Sequence, residues 1–134
     1  MSEFQKIVHN VPNAAMEIQN FKTELTFAPG KTTEFSGQNI IVTFKGRNWQ
    51  NGTDQILVIG AHYDSDASPL FCIDDNGSGV VAMLEVARQL SSAIVDRKAV
   101  LHNTVIFVAF DFQRFEYVRN CFEPLFKNEI ALLL

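Results

Sequence analysis

The residues best equipped for chemistry lie close together. His62 ends the apolar run ILVIGAH, Asp64 follows two positions on, and Asp74 and Asp75 open the step DDNGSG. An imidazole nitrogen and charged carboxylate oxygens are donors that suit zinc, and a carboxylate has a second oxygen with which to bridge two ions. On this reading His62 and Asp74 are metal ligands. Asp64 orients His62 by accepting its second ring N–H, which fixes the tautomer and raises the basicity of the other nitrogen. The same residues have a plainer reading. Asp-Asp-Asn-Gly-Ser also composes a turn and a helix cap, where carboxylates favour the positive end of the helix dipole. A lone histidine at a strand end is more often a hydrogen-bonded polar residue than a ligand. It is the joint spacing that favours a site.

These side chains need elements to carry them. Ile56 to Ile59 is a continuous apolar run, and Thr104 to Phe110, TVIFVAF, is another. Both have the pattern of strands buried on both faces. Between them Val80, Met83, Leu84, Ala87 and Leu90 recur at helical spacing opposite Glu85, Arg88 and Gln89, with Ser78 placed to cap the helix. Strand, helix, strand implies a right-handed crossover between parallel strands, hence an α/β fold. In such sheets ligands gather beyond the carboxyl ends of the strands, where His62 and the acidic loop fall. Upstream, Asn39 to Lys45, NIIVTFK, is β-branched and bounded by Gly37 and Gly46, so it reads as a strand. Arg47 to Asp54 reads as a loop. Pro12 to Phe21, with a helix-start proline and Ala14, Ala15, Met16 and Ile18, is expected to be a short helix.

The chain of 134 residues is within the range of one domain, and its 47% hydrophobic content with twelve Phe points to a packed interior. With 11 basic against 15 acidic residues and no Lys/Arg run, nucleic acid is not an expected partner. Cys72 and Cys121 do not make a disulfide framework. The N-terminus has no apolar leader segment, and no later run reaches the ~18 apolar residues of a span. The expectation is therefore no membrane partner and a cytoplasmic location by default. Asn51-Gly52-Thr53 and Asn76-Gly77-Ser78 both fit the N-glycosylation sequon, which matters only in a secreted protein.

GAHYDS, DDNGSGVVAMLEVARQL and TVIFVAF, in that order, resemble the co-catalytic zinc exopeptidases. This is the peptidase family of bacterial leucyl aminopeptidases and aminopeptidase Y. Its domain recurs in glutamate carboxypeptidase, glutaminyl cyclase and the protease-like domain of the transferrin receptor. The resemblance spans Gln38 to Phe112. It implies a three-layer α/β/α fold with a mostly parallel mixed sheet, a peptide substrate and two zinc ions per site. It also implies that His62 binds one zinc, that Asp64 supports it, that Asp74 bridges both ions, and that a cis peptide joins Asp74 to Asp75.

The pattern then breaks. After the strand matching TVIFVAF the family carries a Glu-Glu pair, a general base followed by a metal ligand, and those slots hold Gln113 and Arg114. The amide of Gln113 cannot take a proton near neutral pH, and Arg114, which a cation would repel, is expected to point away from the metal position. The family also uses a later Asp and His, whereas RFEYVRNCFEPLFKNEIALLL holds neither. Zinc binding is expected to be weak or absent. Glu116 and Cys72 are substitute donors on paper, with a surface carboxylate and a small buried hydrophobe as their plain readings. His9 and His102 match no family position. The expected organisation is a lead-in over 1–37, a partial exopeptidase domain over 38–112 and a divergent tail over 113–134. A sheet truncated after Thr104 to Phe110 would expose a strand edge to self-association. The expected function is a metallo-exopeptidase-like domain, of aminopeptidase or carboxypeptidase type, truncated or variant and inactive by itself. The alternative is a non-catalytic binding module on the same fold. A glutaminyl cyclase-like acyltransferase is disfavoured, because it needs an acid from the Gln113–Arg114 slot.

Overall fold

The computed structural model describes residues 3–65, 73–111 and 130–133. In chain order the elements are α1 (Glu3–Val8), β1 (Ala14–Ala28), β2 (Lys31–Phe44), β3 (Leu57–His62), an irregular turn (Ile73–Gly77), α2 (Ser78–Val95), β4 (Val105–Phe110) and β5 (Ile130–Leu133). One mixed sheet holds all five strands in the order β1-β2-β4-β3-β5. β3 runs parallel to β4 and to β5, while β2 is antiparallel to β1 and β4.

The two apolar runs form the paired strands expected of them, with Leu57 opposite Val105 and His62 opposite Phe110. Alternate residues serve different cores, as the two-residue period of a strand requires. Ile59, Ala61, Phe107 and Ala109 join Val42 and Phe44 on one face, and α2 covers them with Met83 and Ala87, both fully buried. Phe44 and Phe107 meet edge to face there, 5.6 Å between centroids. Val58, Ile106, Val108 and Phe110 form a second buried cluster on the opposite face. By length and composition Ile73–Val95 is apolar enough to cross a membrane. Its inner stripe is nonetheless the cover of the sheet, with Val80, Leu84, Leu90 and Ile94 packed on that first core.

Three expectations are corrected. Pro12 to Phe21 is not a helix: Val11 is buried, Pro12 and Asn13 turn the chain, and from Ala14 onward the segment is β1. Ala14 pairs with Phe44 and the register runs unbroken to Thr26 opposite Thr32, so a long hairpin satisfies the backbone and overrides local helix propensity. The strand read over Asn39 to Lys45 starts earlier, at Lys31, because that hairpin extends it. The sheet does not stop after β4: part of the tail returns as β5 and pairs with β3, Leu57 opposite Ile130.

The end of the sheet remote from His62 is tied by one polar cluster. Thr104, fully buried, donates from its hydroxyl to Asp54 at 2.6 Å and from its backbone N–H to the same carboxylate at 2.9 Å. Its Oγ1 in turn accepts from the N–H of Gly46 at 3.2 Å. Gly46 has no room for a side chain, since a Cβ there would meet the backbone of Asn103 at 2.4 Å. Asp54→Ala leaves two donors of a buried residue unpartnered, and a loss of about 2–3 kcal/mol is expected. Urea unfolding should show a lower midpoint with an unchanged slope.

Candidate metal centre

β3 carries His62 to the carboxyl end of the sheet, where its side chain is only 14% exposed. Its Nδ1 lies 3.0 Å from the backbone carbonyl of Asp64 and 3.6 Å from Oδ1 of the same residue. The carbonyl, not the carboxylate, is therefore at hydrogen-bonding distance. Donation from Nδ1–H to that carbonyl leaves the lone pair of His62 on Nε2, the arrangement typical of a ligating histidine. The partner of the ring N–H is thus the main chain of Asp64, where the sequence reading has its carboxylate.

Nε2 faces Oδ1 of Asp75 at 3.1 Å. In this tautomer both atoms present lone pairs, so only a proton or a cation between them makes the approach favourable. Two donors of a tetrahedral zinc, each ~2.1 Å from the ion, stand ~3.4 Å apart. The observed separation is within a few tenths of an ångström of that. It is Asp75, not Asp74, that reaches His62: no ion pair joins Asp74 to His62 among the described residues. The non-proline cis peptide likewise lies between Asp75 and Asn76, one residue beyond its expected place.

The turn that presents Asp75 ends in a helix start organised differently from expectation. Ser78 is the first residue of α2 rather than its cap. The N–H of Gly79 is instead taken by Oδ1 of Asn76 at 3.1 Å, and a Cβ on Gly79 would strike that oxygen at 2.3 Å. Asn caps a helix as well as Ser does.

A second set of contacts ties the ends of β3 and β4 to the middle of β2 beside His62. Tyr63 donates its N–H to the carbonyl of Phe110 at 2.8 Å and its hydroxyl to the carbonyl of Gln38 at 2.7 Å. Gln38 donates its N–H to Asp111 at 3.0 Å, and Asp111 donates its own to the buried Asn39 at 3.0 Å. Burial, then the nearby Asp111 and Asp64 carboxylates, push the Tyr63 phenol up to about 12. It is therefore a hydrogen-bond donor throughout the neutral range. The available signal was an aromatic directly after His62 and an Asp directly after FVAF.

Gln113, Arg114, Glu116 and Cys72 lie outside the described residues. Among the described residues no cluster of three His, Cys, Asp or Glu is positioned to hold a metal. His62 and Asp75 match zinc in donor type and spacing, and among the described residues they fall one short of the three protein ligands of a catalytic ion.

A mixed α/β sheet with a His–Asp pair beyond the carboxyl ends of its parallel strands is the framework of a metallopeptidase-like domain. The chain belongs to peptidase family M28, whose model matches residues 39–112. It is similar to a vacuolar membrane protease of Yarrowia lipolytica, 38% identical over 60 residues, which covers 45% of this chain and 6% of that protein. Among solved structures it is similar to a zinc aminopeptidase from Bacillus subtilis, with 30% identity, a TM-score of 0.53, and coverage of 74% of this chain and 24% of that one. An aminopeptidase of Legionella pneumophila shares the fold, with a TM-score of 0.63 at 15% identity over 98% of this chain and 33% of that one. The chain thus spans a third or less of each of these proteins. Zinc belongs to the family to which these relatives point.

In calorimetric zinc titrations, His62→Ala and Asp75→Asn are each expected to weaken binding about tenfold or more, equivalent to about 1.4 kcal/mol. Asp74→Asn should leave it little changed. A larger loss from Asp74→Asn than from Asp75→Asn would restore Asp74 as the ligand.

Proposed function

We propose that this chain is a zinc-binding, exopeptidase-like domain that carries part of an M28 site and does not hydrolyse peptides by itself. The observation that carries the reading is the convergence of His62 Nε2 and Asp75 Oδ1 at 3.1 Å at the carboxyl end of β3. Zinc, when bound, supplies a polarised carbonyl and an acidified water. The chain's own residues hold and orient. His62 offers Nε2, the Asp64 carbonyl keeps the proton on Nδ1, and Asp75 offers one oxygen to the shared position and a second outward. With 76% of its side chain exposed, Asp75 has room for the bridging role first assigned to Asp74.

What this set lacks is a base. Gln113 stands where the family's general base would be, and its amide cannot move a proton from water. Arg114 replaces the following ligand with a cation. The relatives described as aminopeptidases and as a protease support a peptide as the substrate class of the intact site, and the zinc aminopeptidase favours its amino end. The retained fold with a substituted base also favours the second reading, a non-catalytic module that binds rather than cleaves.

Incubated with zinc and an aminoacyl anilide at neutral pH, the chain is expected to release no product. The Gln113→Glu, Arg114→Glu double variant should behave alike, because restoring a base and one ligand still leaves the ligand set incomplete. Zinc-dependent turnover that disappears in His62→Ala would overturn this reading.

A further inference from the structure

We infer that, when the chain is carried into the secretory lumen, Asn51 is its N-glycan acceptor, and that of the two sequons it alone carries a glycan in the folded protein. The loop that bears it is firm at its base and open at its tip. Arg47 and Asn48 donate their N–H groups to the carbonyls of Leu101 and His102, each at 2.9 Å, and Asp54 is locked onto Thr104. Between these anchors Asn51, Gly52 and Thr53 are all exposed, and a Cβ on Gly52 would have nothing within 4 Å. Oδ1 of Asn51 accepts from the Thr53 hydroxyl at 2.7 Å and from its N–H at 3.0 Å. The +2 hydroxyl on which the sequon depends is thus already against the carboxamide, and the Nδ2 side of Asn51 makes only a long 3.3 Å contact to Asn48.

Asn76 differs in each respect. Its carboxamide caps α2 through the N–H of Gly79 and packs so tightly there that even a methyl group on Gly79 would collide with it. It also adjoins Asp75, so a glycan there would displace both the helix start and the ligand turn. A glycan on Asn51 disturbs neither. The loop lies beyond the amino end of β3, and five rises of about 3.3 Å separate Leu57 at that end from His62 by about 16 Å.

The step is transfer of an oligosaccharide from a polyprenyl pyrophosphate donor by a lumenal transferase. The Asn51 Nδ2 forms the C–N bond to the anomeric carbon and loses a proton. The anomeric C–O bond breaks, and the lipid pyrophosphate leaves with its electron pair. The result is a bulky, solvating group on the surface remote from the metal centre.

The test is translation of the full chain behind a cleavable leader in the presence of endoplasmic reticulum membranes, with leader removal reporting entry. The protease-resistant, folded fraction should carry one glycan, removable by peptide N-glycosidase, with Asn converted to Asp at position 51. Asn51→Gln and Thr53→Ala should abolish it, whereas Thr53→Ser and Asn76→Gln should keep it. The inference is overturned if the translocated chain carries no glycan, if Asn51→Gln leaves the glycan in place, or if the folded fraction is modified at Asn76.

Discussion

Parallel pairing of β3 with β4 is the constraint from which the rest of the arrangement follows. Two strands that run in the same direction cannot be joined by a tight turn, so the chain must cross back over the sheet. α2 makes that crossing, and its fully buried stripe of Met83 and Ala87 seals one face. The crossing begins above the carboxyl end of β3, which is why the acidic turn is suspended over His62. The pairing extends beyond both strand ends, with Leu57 donating to Thr104 at 3.0 Å and Tyr63 to Phe110 at 2.8 Å. A slip of one residue would send His62 to the opposite face, so this pinned register is also what aims the imidazole.

The parts of the fold that the sequence revealed are those whose pattern is set by burial on a nearby layer. β3 and β4 are buried on both faces and read as unbroken apolar runs, while α2 covers one face and reads with helical spacing. β1 was misread because its identity depends on a partner rather than on its own residues. Ala14, Met16 and Ile18 suit a helix or a strand equally, and only pairing with β2 decides. β5 gave no usable signal. IALL is too short to show a period, and it becomes a strand only because the edge of β3 is there to receive it.

At the site, residue types were legible and directions were not. His62 stands out by residue type as a candidate donor, but which of two adjacent carboxylates approaches it depends on how the backbone turns between them and α2. Asp75 and Asn76 hold non-helical dihedrals, φ −128°, ψ 86° and φ −135°, ψ 42°, and these swing Asp75 toward the ring. No propensity predicts such a pair of values. Asp64 illustrates the same limit, since its carbonyl performs the task expected of its carboxylate. In the Tyr63–Gln38–Asp111 tie the residue types are visible beside their strands but their pairing is not, because Gln38 and Asp111 are 73 positions apart.

The approach of His62 Nε2 to Asp75 does not hold the turn in place. With a lone pair on Nε2 and Asp75 largely in solvent, the contact has no attraction of its own to contribute. Packing does the holding: Gly79 presses against Asn76, and Met83 and Ala87 seat the helix that follows. The placement of Asp75 over β3 therefore follows from how the turn and the helix pack rather than from its contact with His62. The geometry at His62 and Asp75 and the residue types at Gln113 and Arg114 are thus set by different parts of the chain, the former by the β3–β4 register and the seat of α2, the latter by the sequence after Phe112.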